Sequence, residues 1–205
     1  MAGAHEQLER AEHAEHAAHG HGPSSTNKRI ALLIAILALF LAISETLGKG
    51  AQTEALSSNV EASNLWAFYQ AKTIRKTTME TAAEQMEVDL QLARDPAVKD
   101  ILGKRVDNWR TRAATYESEP KPNGLGEGRK ELMARALAAQ EKRDVAMAKY
   151  HKFEYGSAAF QIGIVLASSF LITGVFHLLW GACGLGMLGV LFTLVGLFAP
   201  NMHVF

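Results

Sequence analysis

IALLIAILALFLAISETL, residues 30–47, decides how this chain is read. Residues 30–43 are uninterrupted apolar side chains, after which Ser44, Glu45 and Thr46 arrive together. A helix that crosses the hydrocarbon of a bilayer needs about 20 residues. The stretch 28–49 supplies them and places Glu45 near the membrane boundary. A cleavable signal opens on a basic region and closes on a small-residue cleavage site. Here an acidic, His-rich tail over 1–27 precedes the run, so a retained anchor over 28–49 is expected.

Two further apolar runs lie at the other end. SAAFQIGIVLASSFLITGVFHLLW (157–180) and ACGLGMLGVLFTLVGLFAP (182–200) carry no formal charge. The expectation is a second transmembrane helix over 156–180 and a third over 182–200, with Gly181 as the break between them. So short a connection permits only a tight antiparallel hairpin. Charge elsewhere is balanced, with 21 basic against 21 acidic residues. No global field therefore attracts nucleic acid. The single cysteine, Cys183, falls inside the last run and cannot form an intrachain disulfide.

Between the runs the chain is charged and helical in pattern. From 50 to 93, Ala55, Leu56, Val60, Leu65, Trp66, Tyr69, Ile74, Met79, Ala83, Met86 and Leu90 recur at helical rather than strand spacing. Asp95-Pro96 closes that helix, and Pro96 suits the first turn of the next. The second helix is expected over 97–116. ESEPKPNGLGEG (117–128) concentrates proline and glycine and reads as a loop. From Arg129 the helical pattern resumes over 129–155, and nothing breaks it before the second apolar run.

The fold class that follows is an all-α membrane protein, with three transmembrane helices and a long extramembrane helical hairpin. At about 1.5 Å per residue, a 50–93 helix would project roughly 65 Å. A helix that long needs partners for its apolar stripe. Its return helix supplies one, and coiled-coil packing in a homo-oligomer would supply more. By count of flanking basic residues the middle domain is expected on the cytoplasmic side. Lys49, Lys142, Arg143, Lys149 and Lys152 flank the middle domain and favour a cytoplasmic location for it, while Lys28 and Arg29 ahead of the first run favour the reverse.

ISETLGKGAQTEALSSNVEASNLWAFYQAKTIR (43–75) resembles the hallmark stretch of the bacterial DUF4337 family. YESEP (116–120), GEGRKEL (126–132), YHKFEYGSAAFQIGIVLAS (150–168), GLFAP (196–200) and the HAEHAAH start are similar to it as well. The resemblance implies a small bacterial membrane protein with no assigned activity, and it brings no catalytic residues; the location expected is the bacterial inner membrane.

Five constellations carry the remaining chemistry. His5, His13, His16, His19 and His21 lie in the tail beside Glu9 and Glu12. Such a tract can collect divalent ions weakly and titrates near neutral pH. The competing reading is a solvated tail that does neither. Glu45 and Lys49, spaced i, i+4, are either an interfacial ion pair or a charged ring at a pore mouth. On the second run Gln161, Ser169, Thr173 and His177 fall at multiples of four. They line either a polar pathway or a helix–helix contact, the commoner use of such residues. On the third run Ala182/Gly186 and Gly189/Thr193 are small-xxx-small pairs for close helix packing. Trp66, Phe68 and Tyr69 form an aromatic cluster suited to a protein contact.

No nucleophile, base and orienting group occur together, so an enzyme is not expected. No resident cofactor is expected either, beyond weak metal binding by the tail. Two classes of function remain. One is a non-enzymatic, self-assembling membrane scaffold. The other is a channel-like or transporter-accessory protein whose His-rich tail responds to metal or pH. Expected partners are the lipid bilayer, further copies of the chain and another membrane protein, with no nucleic acid.

Overall fold

The computed structural model describes residues 25–122 and 126–200. The His-rich tail and its candidate ligands His13, His16, His19 and His21 lie outside the described residues. Four helices follow in order: α1 Ser25–Leu92, α2 Pro96–Glu117, α3 Arg129–Thr173 and α4 Phe176–Phe198. The described residues are 91% helical and contain no strand. Each of α1, α3 and α4 holds a window long and apolar enough to cross a membrane.

The ends of these helices follow from local chemistry. The Asp95 carboxylate accepts a hydrogen bond from the Ala97 N–H at 2.8 Å, and Pro96 occupies the first turn, where its missing N–H costs nothing. Helix α2 stops at Ser118, whose extended backbone returns its N–H to the Ala114 carbonyl at 3.1 Å. Helix α3 starts where the Leu132 N–H reaches the Gly128 carbonyl at 2.9 Å. The 68 residues of α1 hold no proline and no break, so the anchor and the 50–92 segment form one helix.

The turn between the last two apolar segments differs from the sequence expectation. It lies at Gly174-Val175 and not at Gly181. Gly174 has φ +69°, a left-handed conformation that glycine adopts without steric cost. Its N–H caps the Phe170 carbonyl at 2.8 Å, and Phe170 meets Phe176 edge-on across the turn, with ring centroids 5.8 Å apart. Gly181 is helical and sits where an added Cβ would approach Leu166 Cδ1 to 3.1 Å. It serves packing instead of turning.

The chain divides into two compact units. The first combines the described residues up to Lys49 with those from Lys149 onward. Here the start of α1, the end of α3 and all of α4 form a three-helix packing. Ile30, Ala167, Phe170 and Ala182 make one buried cluster, and Phe160 is fully buried. The second unit is Gly50–Ala148, built from the rest of α1, all of α2 and the start of α3. Its core holds Ala62, Leu65, Leu132, Ala136 and Ala139.

Burial in both units follows one spacing. On α1 the covered positions step alternately by four and three: Ile30, Ile34, Leu37, Leu41, Ser44, Gly48, Ala51, Ala55, Ser58, Ala62, Leu65 and Tyr69. On α3 the same alternation joins Leu132, Ala136, Ala139, Arg143, Ala146, Tyr150 and Phe153. A repeat of 3.5 residues keeps one seam in contact over many turns. The α1 seam is small-sided from Ser44 to Ala62, which lets backbones come close. At Gly48 a Cβ would meet the Phe153 Cβ at 3.4 Å.

Candidate functional site

Two polar constellations stand out against these apolar seams, one in each unit. In the second unit the centre is Arg129, at the first turn of α3. Its guanidinium donates to Glu117 Oε2 at 2.9 Å and to the Tyr69 hydroxyl oxygen at 2.8 Å, and it stands 5.0 Å from the Tyr69 ring centroid. Glu117, the last residue of α2, also receives Lys76 Nζ at 3.0 Å. A carboxylate at a helix C-terminus opposes the helix dipole, and these two cations offset that. The Lys76 hydrogen bond is the main influence holding the Glu117 carboxyl below its ordinary value; burial opposes it, and the charges of Lys76 and Arg129 add to it. Glu117 in turn raises Lys76.

The loop between α2 and α3 is tied down beside this centre. The Ser118 hydroxyl donates to Glu131 Oε1 at 2.6 Å, and the Glu119 N–H donates to Glu131 Oε2 at 3.3 Å. The Ser118 hydrogen bond is the largest cause of a lowered pKa at Glu131, with backbone N–H groups contributing. Glu131 lies in the first turn of α3, where the helix dipole favours negative charge. The loop approaches so closely that side chains are excluded. A Cβ on Gly126 would lie 2.5 Å from the Glu119 carbonyl oxygen, and one on Gly128 would lie 2.5 Å from the Glu119 nitrogen. Lys72 adds a contact 5.4 Å from the Tyr116 ring centroid. The carboxylates of Glu117 and Glu131 are both engaged, one by two cations and the other by an O–H and an N–H donor. The arrangement is a clasp that fixes the ends of a loop.

Reading along the sequence missed Arg129, Lys76, Glu117 and Glu131. The available signal was the family likeness of the stretches WAFYQ, YESEP and GEGRKEL. Residues far apart in the chain meet here because α1, α2 and α3 pack side by side within this unit.

In the first unit a buried hydroxyl pair joins three helices. Ser44 on α1, with no exposed surface, donates to the Phe153 carbonyl of α3 at 2.9 Å. Thr193 on α4 is 3.4 Å from the Ser44 hydroxyl and donates to its own Gly189 carbonyl at 2.8 Å. Gly156 opens this space, since a Cβ there would lie 2.8 Å from Thr193 Oγ1. Beside the junction, Gln161 Nε2 donates to Glu45 Oε1 at 3.3 Å, and both side chains are exposed.

The other sequence candidates separate. Ser169 and Thr173 return their hydroxyls to Val165 and Ser169 carbonyls one turn back, at 2.8 and 2.9 Å. His177 belongs to α4, beyond the Gly174 turn, so the expected ladder of four breaks after Thr173. Ala182, Gly186, Gly189 and Thr193 are all buried within the chain's own three-helix packing. A Cβ on Gly186 would lie 2.8 Å from Leu37 Cδ2, and one on Gly189 would lie 2.7 Å from the Phe160 ring. Trp66 and Tyr69 meet edge-on at 5.4 Å against the second unit's core. Phe68 does not join them and is 62% exposed. Lys49 lies at the end of the first unit. Among the described residues no group of three or more His, Cys, Asp or Glu side chains is placed to hold a metal ion.

The family profile described as "Domain of unknown function (DUF4337)" matches residues 26–199. No curated protein and no solved structure matches the chain.

Proposed function

From the premise that the chain belongs to the DUF4337 family, we propose that it is a non-enzymatic, self-assembling scaffold of the bacterial inner membrane. In this reading α1, α3 and α4 cross the bilayer, and the 50–148 unit is an extramembrane helical hairpin on the cytoplasmic side. The observation that carries the reading is a row of exposed apolar side chains on that unit. Leu56 is 64% exposed, Val60 52% and Ile74 67%, with exposed Ser63, Ala67 and Gln70 at the positions between them at coiled-coil spacing. These sit on the part of α1 beyond Gly50, whose composition is otherwise suited to water, and the buried seam of that part is already filled by α2 and α3. An apolar row of this kind marks a contact surface. Beside it lies a groove of ≈ 520 Å³ lined by Gln52, Thr53, Ala55, Leu56, Asn59, Arg143 and Met147. A second copy of the chain, packing helix against helix, suits both the row and the groove.

The channel-like alternative draws support from the Glu45–Gln161 contact alone. The hydroxyls of Ser169 and Thr173 donate to carbonyls of their own helix, and His177 stands on α4, so the ladder of four does not extend to His177.

Native mass spectrometry of protein extracted gently from its own membrane tests the proposal. A defined homo-oligomer is expected, and Leu56→Lys with Ile74→Lys is expected to shift it toward monomer with helicity unchanged. A monomer across several mild detergents would overturn the scaffold reading. A complex with a different membrane protein would replace it with an accessory-subunit role.

A further inference from the structure

Resting on the reading that α1, α3 and α4 cross a bilayer, we propose that the turn joining α3 to α4 is a phospholipid-binding tip. It sits among the headgroups and upper acyl chains of one leaflet and not in water. The turn exposes apolar side chains: Ile172 is 87% exposed, Val175 48%, Phe176 58% and, one helical turn on, Trp180 73%. A turn built for water draws on Gly, Asn, Asp and Ser. Here residues 172–176 read Ile-Thr-Gly-Val-Phe, and the N-cap position of α4 falls on Val175, whose side chain has no acceptor to offer. The backbone compensates locally. The Gly174 N–H donates to the Phe170 carbonyl at 2.8 Å, the Val175 N–H to the Thr173 hydroxyl at 3.4 Å and the Leu178 N–H to the Val175 carbonyl at 3.1 Å. Thr173 passes its own proton to the Ser169 carbonyl at 2.9 Å. Pairing within the chain is what a backbone needs where water is scarce.

The depth of the tip follows from charges in the same unit. Lys28 and Arg29 stand near the start of α1 and Lys49 at the far end of its apolar part, all exposed. Lys28 and Lys49 are about 31 Å apart along the helix, which matches the hydrocarbon of a bilayer, about 30 Å. Basic side chains at those two levels reach the phosphates of opposite leaflets. Helix α4 runs beside α1 in one register: Ser44 meets Thr193 and Leu37 meets Gly186, each pair 149 residues apart. That register puts His177 level with Lys28, and Phe198 level with Lys49. The 23 residues of α4 hold no Asp, Glu, Lys or Arg and so occupy the hydrocarbon from one phosphate layer to the other. Gly174 stands about 5 Å beyond His177, inside the headgroup layers that bring a bilayer to about 40–45 Å. Moving the helices outward would wet the apolar tip and draw Lys49 into acyl chains; moving them inward would bury Lys28 and Arg29. Trp180, just inside the Lys28 level, suits the boundary that aromatic rings prefer. Apolar side chains and cations at one level specify an occupant that carries acyl chains and a phosphate together.

The test uses the full chain carrying Cys183→Ser in phospholipid vesicles, with a nitroxide label on Ile172→Cys or on Met187→Cys. Met187 is 76% exposed and stands midway along α4. Collisions of each label with oxygen and with a water-soluble nickel chelate are measured. At Met187 oxygen collisions are expected to dominate. At Ile172 nickel collisions are expected to exceed those at Met187 and to stay well below those of free label in buffer. Nickel collisions at Ile172 equal to those of free label, with Met187 shielded, would put the turn in water, overturning the inference and leaving the membrane reading standing. Values at Ile172 matching those at Met187 would put the turn in the hydrocarbon and overturn the assigned depth. Few collisions with either reagent at Ile172 would mean that protein covers the tip, and would overturn the choice of lipid. Met187 open to nickel would remove the membrane reading and this inference with it.

Discussion

Replacing Gly189 by alanine probes the packing on which the first unit rests. A Cβ at this position would lie 2.7–2.9 Å from three atoms of the Phe160 ring. That ring is fully buried and stacks on Phe40 at 5.9 Å, so it cannot swing aside without displacing a second ring. Forcing a methyl group into such a site costs roughly 1–3 kcal/mol. Alanine recovers roughly 0.5–1 kcal/mol over glycine inside a helix. Gly184, on the same helix, has nothing within 4 Å of the added Cβ, so alanine there brings only the gain. The helix contribution cancels between the two variants, and their difference isolates the packing cost of roughly 1–3 kcal/mol. Thermal unfolding followed by circular dichroism in one mild detergent measures it. At roughly 2–4 °C per kcal/mol for a chain of this size, Gly189→Ala should melt about 2–12 °C below Gly184→Ala. Equal melting temperatures would refute the claim that the glycine is there for the Phe160 ring.

Three further outcomes are expected. Arg129→Met should lower the stability of the second unit by about 1–2 kcal/mol, since it removes partly exposed charge-assisted hydrogen bonds to Glu117 and the Tyr69 hydroxyl. A double-mutant cycle with Glu117→Gln, read by chemical denaturation, should show coupling, and strict additivity would disprove the link. The clasp should also weaken in acid. Glu117 and Glu131 titrate below their ordinary value of 4.5 when folded, so their stabilisation is complete above about that pH. It is lost as pH falls through the lower folded values. Melting curves from pH 6 to 3 followed by tryptophan fluorescence should fall, and Glu131→Gln should flatten that fall. Finally, Gly128→Ala should destabilise the loop, because its Cβ would strike Ser118 and Glu119, whereas Gly103→Ala on α2 meets nothing within 4 Å and should be neutral or stabilising. Limited proteolysis between α2 and α3 distinguishes the two, with faster cleavage expected only in the first.

Much of the fold was legible because its signals are local. The 30–43 run, the Asp95-Pro96 cap, the Pro- and Gly-rich 117–128 stretch and the unbroken pattern after Arg129 each act within a few residues of themselves, through hydration, capping and backbone freedom. They placed all four helices, most of their ends and the segregation of apolar from charged segments. The same logic failed at the last turn. Gly174 and Gly181 are equivalent in composition, and only the surroundings separate them. One stands free with φ +69°, while the other faces Leu166 across a helix contact.

The candidate sites divide in the same way. Sequence spacing could group Trp66, Phe68 and Tyr69, or align Gln161 with His177, but it could not say what each side chain touches. Packing turned Trp66 and Tyr69 inward and Phe68 outward, and the Gly174 turn put His177 on a separate helix. It also brought Arg129 to Glu117 and Tyr69, and Gln161 to Glu45 across 116 residues of chain. The sequence by itself determined that the chain is helical and where its apolar segments lie, because hydrophobic burial and helix capping are written in neighbouring residues. Only the tertiary structure decided which glycine turns the chain and which polar groups meet, because a contact depends on the side chain that a second helix brings to the same place.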